Sequence, residues 1–250
     1  MSVTACAQMV ERGDADRFAA TMTAPPQVRE KLWPIYAFNL EVARAPWLTQ
    51  EPIIAEMRLQ FWRDVLTEID AGKPPRAHEV AAPLQARHRA QPLPLEALES
   101  VINARRADIA REAFVGPDAL WSYLDQGAGA LMWASVHVLG GKDEKAARGL
   151  GQAAGLANWL LAHPSVQAAG WRAADTDIYP HLIDTALVDL ARLKPHDFGA
   201  ATPAARTAWR ATSILRKAQQ NPEAIVNGTL ATSEFRRRTS LTWRTLRGRW

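Results

Sequence analysis

Apolar residues recur every three or four positions along most of the chain, the spacing that places them on one face of an α-helix. After Pro25-Pro26, which suits the first turn of a helix, this pattern begins with Val28, Leu32 and Tyr36. We expect a helix here that Pro46 ends or bends, because proline has no backbone N–H to donate.

A second helix is predicted to start at Thr49 and Pro52, since threonine caps helix starts well and proline is tolerated in the first turn. The turn sequence Gly72-Lys-Pro-Pro is expected to end it. Its predicted apolar face consists of Ile54, Met57, Phe61, Val65 and Ile69.

Further helices are predicted at about 77–90, 94–112, 117–139, 142–163, 181–193, 202–220 and 234–247. Strand patterns of period two between turn signals are not found. These patterns predict an all-α protein with residues 1–250 in one domain.

The uncharged stretch from Gly149 to Trp171 is long enough to be compared with a membrane span of roughly 20 residues. Its amide, histidine and proline residues make it too polar to face lipid on all sides. The sequence instead predicts a buried helix that ends near Pro164 and is followed by a loop.

The composition fits a protein with a large core in a reducing compartment. Hydrophobic residues make up 48% of the chain, and ten tryptophans are available to fill a core or line an apolar cavity. The single cysteine, Cys6, excludes an internal disulfide and a zinc site built on several thiolates. No secretory signal is visible at the start, so the expected location is cytoplasmic.

Positive charge is concentrated towards the end of the chain. Residues 201–250 contain ten Arg or Lys and two Glu, a net charge of +8, whereas the first 200 residues carry −4. A basic segment at about 235–250 with two tryptophans suits an anionic membrane surface or an acidic protein partner. A solvated tail that serves solubility is the alternative.

Motifs for other chemistry are weak. The six histidines form no HxxxH or HExxH pair, so each is interpreted as structural. Asp175-Thr-Asp177 could ligate a metal, but a turn or helix-cap role is favoured. Gly127-Ala-Gly129 follows a helix signal rather than a strand, so we expect close helix packing and no nucleotide site. No nucleic-acid motif is present, and no nucleic-acid partner is expected.

Four stretches in order resemble the squalene/phytoene synthase family across about residues 14–230. They are Leu32–Phe38, the segment from Arg58 with Trp62, the segment from Trp121 with Tyr123, and Gly149–Asn158. The resemblance implies an isoprenoid-synthase-type helical bundle around a central cavity. It also implies enzymes that join isoprenyl diphosphates with Mg²⁺ held by two aspartate clusters.

The chain departs from the family pattern where those aspartates belong. Ala43, Arg44 and Trp47 stand at the first cluster, and Glu41, the nearest carboxylate, lies about 200° around the helix from it. At the second cluster, Leu161, Ala162 and Val166 take the places of arginine, aspartate and aspartate. The leading interpretation is therefore a non-catalytic protein with no metal and no cofactor. It resembles the branch of the family that contains the complex I assembly factors.

The alternative is an active prenyltransferase that binds Mg²⁺ in a rearranged site. Glu41, Asp125, Asp175 or Asp177 would then have to converge on the cavity. Under either interpretation, a prenyl lipid or an isoprenyl diphosphate is a possible ligand of the cavity.

Two sets of site residues follow from this comparison. The resemblance implies ligand contacts from Tyr36, Phe38, Arg44, Arg58, Trp62 and Asn158, although Arg44, Arg58 and Arg63 are also expected in surface ion pairs with Asp64 or Glu68. For a peripheral contact at the inner membrane or with a protein partner, the candidates are Arg236, Arg237, Arg238, Trp243, Arg244, Arg247, Arg249 and Trp250.

Overall fold

A computed structural model describes residues 2–171 and 176–250, and the described chain is helical throughout, with no strand. The first ten α-helices are α1 (Val3–Gly13), α2 (Ala15–Met22), α3 (Pro26–Arg44), α4 (Pro52–Asp70), α5 (Ala81–Ala90), α6 (Leu95–Ala110), α7 (Gly116–Leu124), α8 (Ala130–His137), α9 (Glu144–Ala168) and α10 (Tyr179–Leu193). They are followed by α11 (Thr202–Ala205), α12 (Ala211–Gln220), α13 (Glu223–Val226) and α14 (Glu234–Leu246). The all-α prediction is confirmed.

Helix α3 lies at the centre of the bundle. Every residue from Leu32 to Leu40 is buried, which is typical of a helix surrounded by others. Its neighbours are α1, α5, α6 and α8. A single cluster of buried apolar side chains extends from Cys6 to Leu230, so elements far apart in sequence share one core.

Helices α7 and α8 are joined by a five-residue π-helical turn, Asp125–Gly129, within the region predicted as one helix. This turn lies directly against α9. A Cβ added to Gly151 would be 2.5 Å from the carbonyl oxygen of Ala128 and 2.6 Å from the Cβ of Met132. The small residues of both segments therefore permit close backbone contact, as the Gly127-Ala-Gly129 sequence led us to expect.

The prediction that the helix of residues 142–163 ends near Pro164 is wrong, because α9 continues to Ala168 with Pro164 inside it. A proline inside a helix costs roughly 3 kcal/mol through its lost hydrogen bond and its clash with the preceding turn. Packing outweighs that cost here: Trp159 and His163 are buried before the proline, and Val166 packs on the core after it.

The predicted apolar face of α4 is also wrong in its first half. Ile54 and Met57 are exposed, the latter at 67%. The side chains that α4 buries are Ala55, Leu59, Trp62, Val65, Leu66 and Ile69. Both sets have helical spacing, so the pattern alone could not decide between them. Glu51 is the N-cap of α4, and the Thr49 hydroxyl accepts a hydrogen bond from the Glu51 N–H at 3.1 Å.

Two further differences concern the ends of the chain. Helices α1 and α2 lie in a region for which no helix was predicted. The helix predicted at 202–220 is divided into α11, a 3₁₀ turn (Arg206–Ala208) and α12. In the described part of the chain, no helix combines the length and the apolar character needed to cross a bilayer.

Candidate functional site

A cavity of about 440 Å³ lies between α3, α6, the α7–α8 segment and α9. Its volume is within the range of pockets that hold small ligands, roughly 300–1,000 Å³. Leu124, Leu131 and Gly155 form an apolar inner end, and Trp47, Ala162 and Val166 lie towards the opening.

Helices α3 and α9 both run from the interior to the opening. On α3, Tyr36 is fully buried and Trp47, just after the helix, is partly exposed. On α9, Gly155 packs closely on Ala128, whereas Ala169 is exposed. At 1.5 Å per residue, the fourteen residues from Gly155 to Ala169 give the cavity wall a length of about 21 Å.

Aromatic rings surround the opening. Trp171, which is fully buried, has its ring centroid 6.3 Å from that of Trp47, 5.6 Å from Trp159 and 5.9 Å from Phe114. Its indole N–H donates to the carbonyl oxygen of Glu112 at 3.1 Å, which fixes the ring. These contacts make the outer half of the cavity apolar.

A hydrogen-bonded triad beside these rings joins α6 to α7, since the Tyr123 ring lies 5.0 Å from that of Phe114 and 5.8 Å from that of Trp159. Arg105 Nη1 donates to Asp108 Oδ2 at 3.1 Å and to the Tyr123 hydroxyl at 2.8 Å, and that hydroxyl donates to Asp108 Oδ1 at 2.8 Å. Burial alone would lower the pKa of Arg105, but the nearby Tyr123 and Asp108 raise it, so the guanidinium stays charged. Burial raises the pKa of Tyr123, which stays neutral.

Arg17 brings a second guanidinium to the cavity from α2. It forms an ion pair with Asp14, the N-cap residue of α2, and lies over the Tyr36 ring at 5.3 Å from the centroid. Arg17 and Asn158 also line a smaller neighbouring pocket of about 230 Å³, where Asp16 pairs with Arg210 and Arg237.

Two amide side chains face the cavity without a partner in the described protein. Asn39 on α3 and Asn158 on α9 line the cavity, and neither side chain hydrogen-bonds another described residue. An amide can donate and accept, so this pair can bind a hydroxyl or a carbonyl group.

The carboxylates do not form a site for Mg²⁺ in the part of the chain that the structure describes. Mg²⁺ prefers several oxygen ligands in octahedral geometry, and in phosphate-handling sites carboxylates supply them. Among the described residues that line the cavity, Asp108 is the one with a carboxylate, and it already binds Arg105 and Tyr123. Within residues 2–171 and 176–250, no three His, Cys, Asp or Glu side chains are placed to hold a metal ion. The described lining therefore does not fit a Mg²⁺–diphosphate group.

The acids of the rearranged-site alternative lie elsewhere. Glu41 pairs with Arg44 at 3.5 Å, and Asp125 pairs with Arg148 at 3.1 Å. Asp177 is exposed in a 3₁₀ turn (Thr176–Ile178), and none of these three lines the cavity. Asp175 lies outside the described residues.

The residues predicted to contact a ligand fall into three groups. Asn158 lines the cavity. Tyr36, Phe38 and Trp62 are buried in the core, where the Phe38 and Trp62 rings meet edge to face at 5.3 Å. Arg44 and Arg58 are exposed and do not line the cavity.

Nearby, Arg63 bonds Asn103 at 2.7 Å and Glu56 at 3.4 Å. The expected partners Asp64 and Glu68 instead bind Arg76.

The basic segment at the end of the chain is divided between the surface and the body of the protein. Arg236, Arg238, Trp243 and Arg247 are exposed. By contrast, Arg237 pairs with Asp16, and Arg244 donates to the carbonyl of Trp250. Arg249 is exposed, although its backbone carbonyl accepts a hydrogen bond from Arg206. The Trp250 ring packs on Phe198, and its N–H donates to the His196 carbonyl at 3.3 Å.

The sequence analysis missed Arg17, Asn39, Arg105, Asp108 and Trp171 as cavity residues. Arg105 and Asp108 have the three-residue spacing of a helical ion pair, but such pairs are common on surfaces. Trp171 follows the end of α9, which the sequence analysis predicted too early, near Pro164. Only the three-dimensional arrangement brings these side chains together.

Comparison with solved structures defines the fold. The chain superposes on a dehydrosqualene synthase with a TM-score of 0.80 at 14% identity, over 96% of this chain and 94% of that one. A squalene synthase from Alicyclobacillus acidocaldarius gives a TM-score of 0.62 at 15% identity, over 98% and 94%. At such low identity the likeness shows the fold: an all-helical isoprenoid-synthase-type bundle.

The sequence comparison identifies the family. The family model for squalene/phytoene synthase matches residues 10–225, so the chain belongs to the squalene/phytoene synthase family. It is also similar to NADH dehydrogenase (ubiquinone) complex I, assembly factor 6, from Homo sapiens, with 25% identity over 162 residues. The Drosophila melanogaster homolog of that factor is 30% identical over 170 residues. These matches cover 64% of this chain and 48% and 50% of the relatives, so the chain spans about half their length.

Proposed function

We propose that this chain works by binding rather than by prenyl transfer, as a factor in the assembly of respiratory complex I. The relatives that carry the assembly-factor name favour this role within the family. The observation that carries the proposal is the chemistry of the cavity wall, which has neither a carboxylate cluster for Mg²⁺ nor a surplus of positive charge among its described residues.

The charges of the wall argue against a diphosphate ligand. A diphosphate carries several negative charges, and placing it in a water-poor cavity requires cations to balance it. Arg17 and Arg105 are the guanidinium groups of the wall, and each already has its own carboxylate, Asp14 and Asp108. The described lining is therefore close to neutral.

The positions at which the family resemblance expects aspartates support the same view. Ala43, Trp47, Ala162 and Val166 all line the cavity. They present methyl groups, an isopropyl group and an indole ring where metal ligands would stand. We infer that both aspartate-rich motifs have been lost.

The wall suits an amphiphile with an uncharged head. Its apolar chain would lie among Trp47, Trp159 and Trp171, where burial of apolar surface is favourable. A hydroxyl or carbonyl head would reach the amides of Asn39, which is buried, and Asn158, which is exposed. An isoprenoid alcohol or a similar neutral lipid has this chemistry.

Mass spectrometry of lipids that co-purify with the protein tests ligand binding. We expect a neutral lipid at close to one equivalent, and its loss in Ala162→Trp, which places an indole in the opening. Ala168→Trp is the matched control, since Ala168 is exposed on the same helix but does not line the cavity. Equal lipid content in both variants would contradict a ligand in the cavity.

Gene disruption in the host tests the assembly role. We expect less assembled complex I and recovery with the wild-type gene. If complex I is unchanged while an isoprenoid product disappears, the prenyltransferase alternative replaces the proposal. The ability of Ala162→Trp to restore complex I separates a role of the ligand from a role of the protein surface.

A further inference from the structure

Helix α14 exposes three large apolar side chains to solvent. Phe235 is 76% exposed, Trp243 56% and Leu246 77%. Isolated exposed apolar residues are ordinary on protein surfaces. Three on one short helix require an explanation, because leaving each in water forgoes the free energy of burial.

These side chains form a continuous strip on one face. At about 100° per residue, Phe235 and Leu246 lie roughly 20° apart around the helix and Trp243 lies about 80° from Phe235. Thr239 and Thr242, both exposed, fill the strip between them. We call these five residues the outer strip.

Arginines flank the outer strip on both sides. Arg238 lies about 60° from Phe235 on one side, and Arg236 and Arg247 lie on the other. The Arg247 guanidinium is 4.0 Å from the centre of the Trp243 ring. Glu234 is the acidic residue of α14 and does not belong to the outer strip. It forms ion pairs with Arg237 at 2.8 Å and Arg238 at 2.9 Å.

The opposite face of α14 holds the helix in this orientation. Leu241 is buried with Ala20 and Trp209. Arg237 forms an ion pair with Asp16, which is also bound by Arg210. The strip therefore points away from the body of the protein.

We propose that the outer strip of α14 and its flanking arginines bind an anionic lipid surface, with the helix lying in the plane of the interface. An apolar strip of aromatic and leucine side chains between arginines is the pattern of interfacial helices. The apolar groups enter the boundary between headgroups and acyl chains, and the guanidinium groups meet lipid phosphates. This surface is separate from the cavity, so the inference does not rest on the proposed function.

An acidic protein is the other class of partner that arginines attract. A protein interface gathers its apolar contacts into a central patch surrounded by polar groups, whereas a helix in a membrane interface presents them in line along its length. The alignment of apolar and basic groups on a single helix face therefore favours a lipid surface.

Co-sedimentation of the full chain with vesicles tests the proposal. Vesicles of phosphatidylcholine alone are compared with vesicles containing about one third phosphatidylglycerol, at a salt concentration near 0.1 M, where charge attraction still acts over about 10 Å. We expect binding to the anionic vesicles at least tenfold stronger than to the neutral ones.

Two pairs of variants separate the apolar and the electrostatic parts. Phe235→Ser with Leu246→Ser is matched by Val188→Ser with Val226→Ser, which changes exposed apolar residues elsewhere. Arg236→Glu with Arg247→Glu is matched by Arg192→Glu with Arg216→Glu, which changes the net charge equally at other exposed sites. We expect each α14 pair to lose at least tenfold in vesicle binding and each control pair to stay within twofold of wild type. Circular dichroism checks that all four remain folded.

Three results would overturn the proposal. The wild-type protein could remain in the supernatant with anionic vesicles, or the α14 variants could sediment as their control variants do. The third is wild-type protein that binds neutral and anionic vesicles equally well. If the chain ignores vesicles but binds a polyglutamate surface through Arg236 and Arg247, the face recognises an acidic protein instead.

Discussion

Asp108 organises one wall of the cavity by binding two neighbouring side chains. It is almost fully buried and accepts hydrogen bonds from Arg105 on its own helix and Tyr123 on the next. Its role is to neutralise Arg105 and to tie α6 to α7.

Removing Asp108 is expected to destabilise the protein strongly. Asp108→Ala leaves Arg105 charged and largely buried, which costs about 3–5 kcal/mol for a buried pair. Some solvent reaches the Arg105 side chain, so the lower end of that range is expected. Urea denaturation gives the free energy of unfolding.

The control for Asp108→Ala is Asp189→Ala, which breaks an exposed ion pair with Arg192 of 3.5 Å. Such pairs contribute about 0–1 kcal/mol. Equal losses in the two variants would contradict a structural role for the triad.

His163 makes stability depend on pH. Its Nδ1 is 2.8 Å from the Tyr179 hydroxyl, which also accepts from the Trp159 N–H at 3.2 Å. Burial lowers the pKa of His163 below its ordinary value of 6.5. Below pH 6.5 the unfolded chain therefore binds a proton that the folded chain does not, and the free energy of unfolding falls as the pH falls.

We expect this loss to reach up to about 1.4 kcal/mol per pH unit and to level off below the lowered pKa of His163. Urea denaturation between pH 5 and 8 measures it. His163→Gln should reduce this pH dependence, and His181→Gln, at an exposed site, is the matched control. The same pH dependence in wild type and His163→Gln would contradict the assignment.

At the scale of helices, α9 and the π-helical turn form the tightest contact around the cavity. Gly151→Ala would force its new methyl group against the backbone of the turn, since a Cβ there lies 2.5 Å from the Ala128 oxygen. Neither backbone can move aside freely, so a loss of about 1–3 kcal/mol is expected.

Gly149→Ala, half a turn away, provides the matched control. Its nearest neighbour would be Leu193 Cδ1 at an ordinary 3.6 Å. Replacing a helical glycine by alanine without a clash stabilises by about 0.5–1 kcal/mol. We expect the free energy of unfolding to fall in Gly151→Ala and to rise in Gly149→Ala. If both substitutions raise it, the close contact between α9 and the π-helical turn is contradicted.

Helix positions were predictable from sequence wherever local signals dominated. Pro25-Pro26 and Arg44 to Pro46 mark the observed limits of α3, and Gly116-Pro117 marks the start of α7. The buried face of α4 was not predictable, because two stripes of helical spacing share that helix and tertiary packing selects Leu59, Trp62 and Leu66. The end of α9 was predicted wrongly for the same reason, because packing keeps the helix intact beyond Pro164.

For the whole molecule, the family fold is present around a cavity whose described lining residues include one carboxylate, Asp108. The four sequence stretches that led to the family lie mainly on α3, α4, α7 and α9, which are core helices. They report packing, so they identified the scaffold well. The polar groups of the cavity wall, Arg17, Asn39 and Arg105, come from three different helices and form no local motif.

The basic surface near the end of the chain was predictable from the sequence only in part. The excess of arginine after residue 235 was visible from sequence, whereas the division into outward residues and those bound to the body depends on how α14 packs. Arg237 and Trp250 were candidates for a partner contact, yet both make contacts within the chain.

Calorimetric titration of the full chain with farnesyl diphosphate and with farnesol, each with and without Mg²⁺, tests the central claim most directly. These ligands share a chain and differ in the charge of the head. The account predicts that farnesol binds more tightly, that Mg²⁺ leaves both affinities unchanged, and that no diphosphate is released. Tighter binding of the diphosphate in the presence of Mg²⁺, with release of diphosphate into solution, would contradict it.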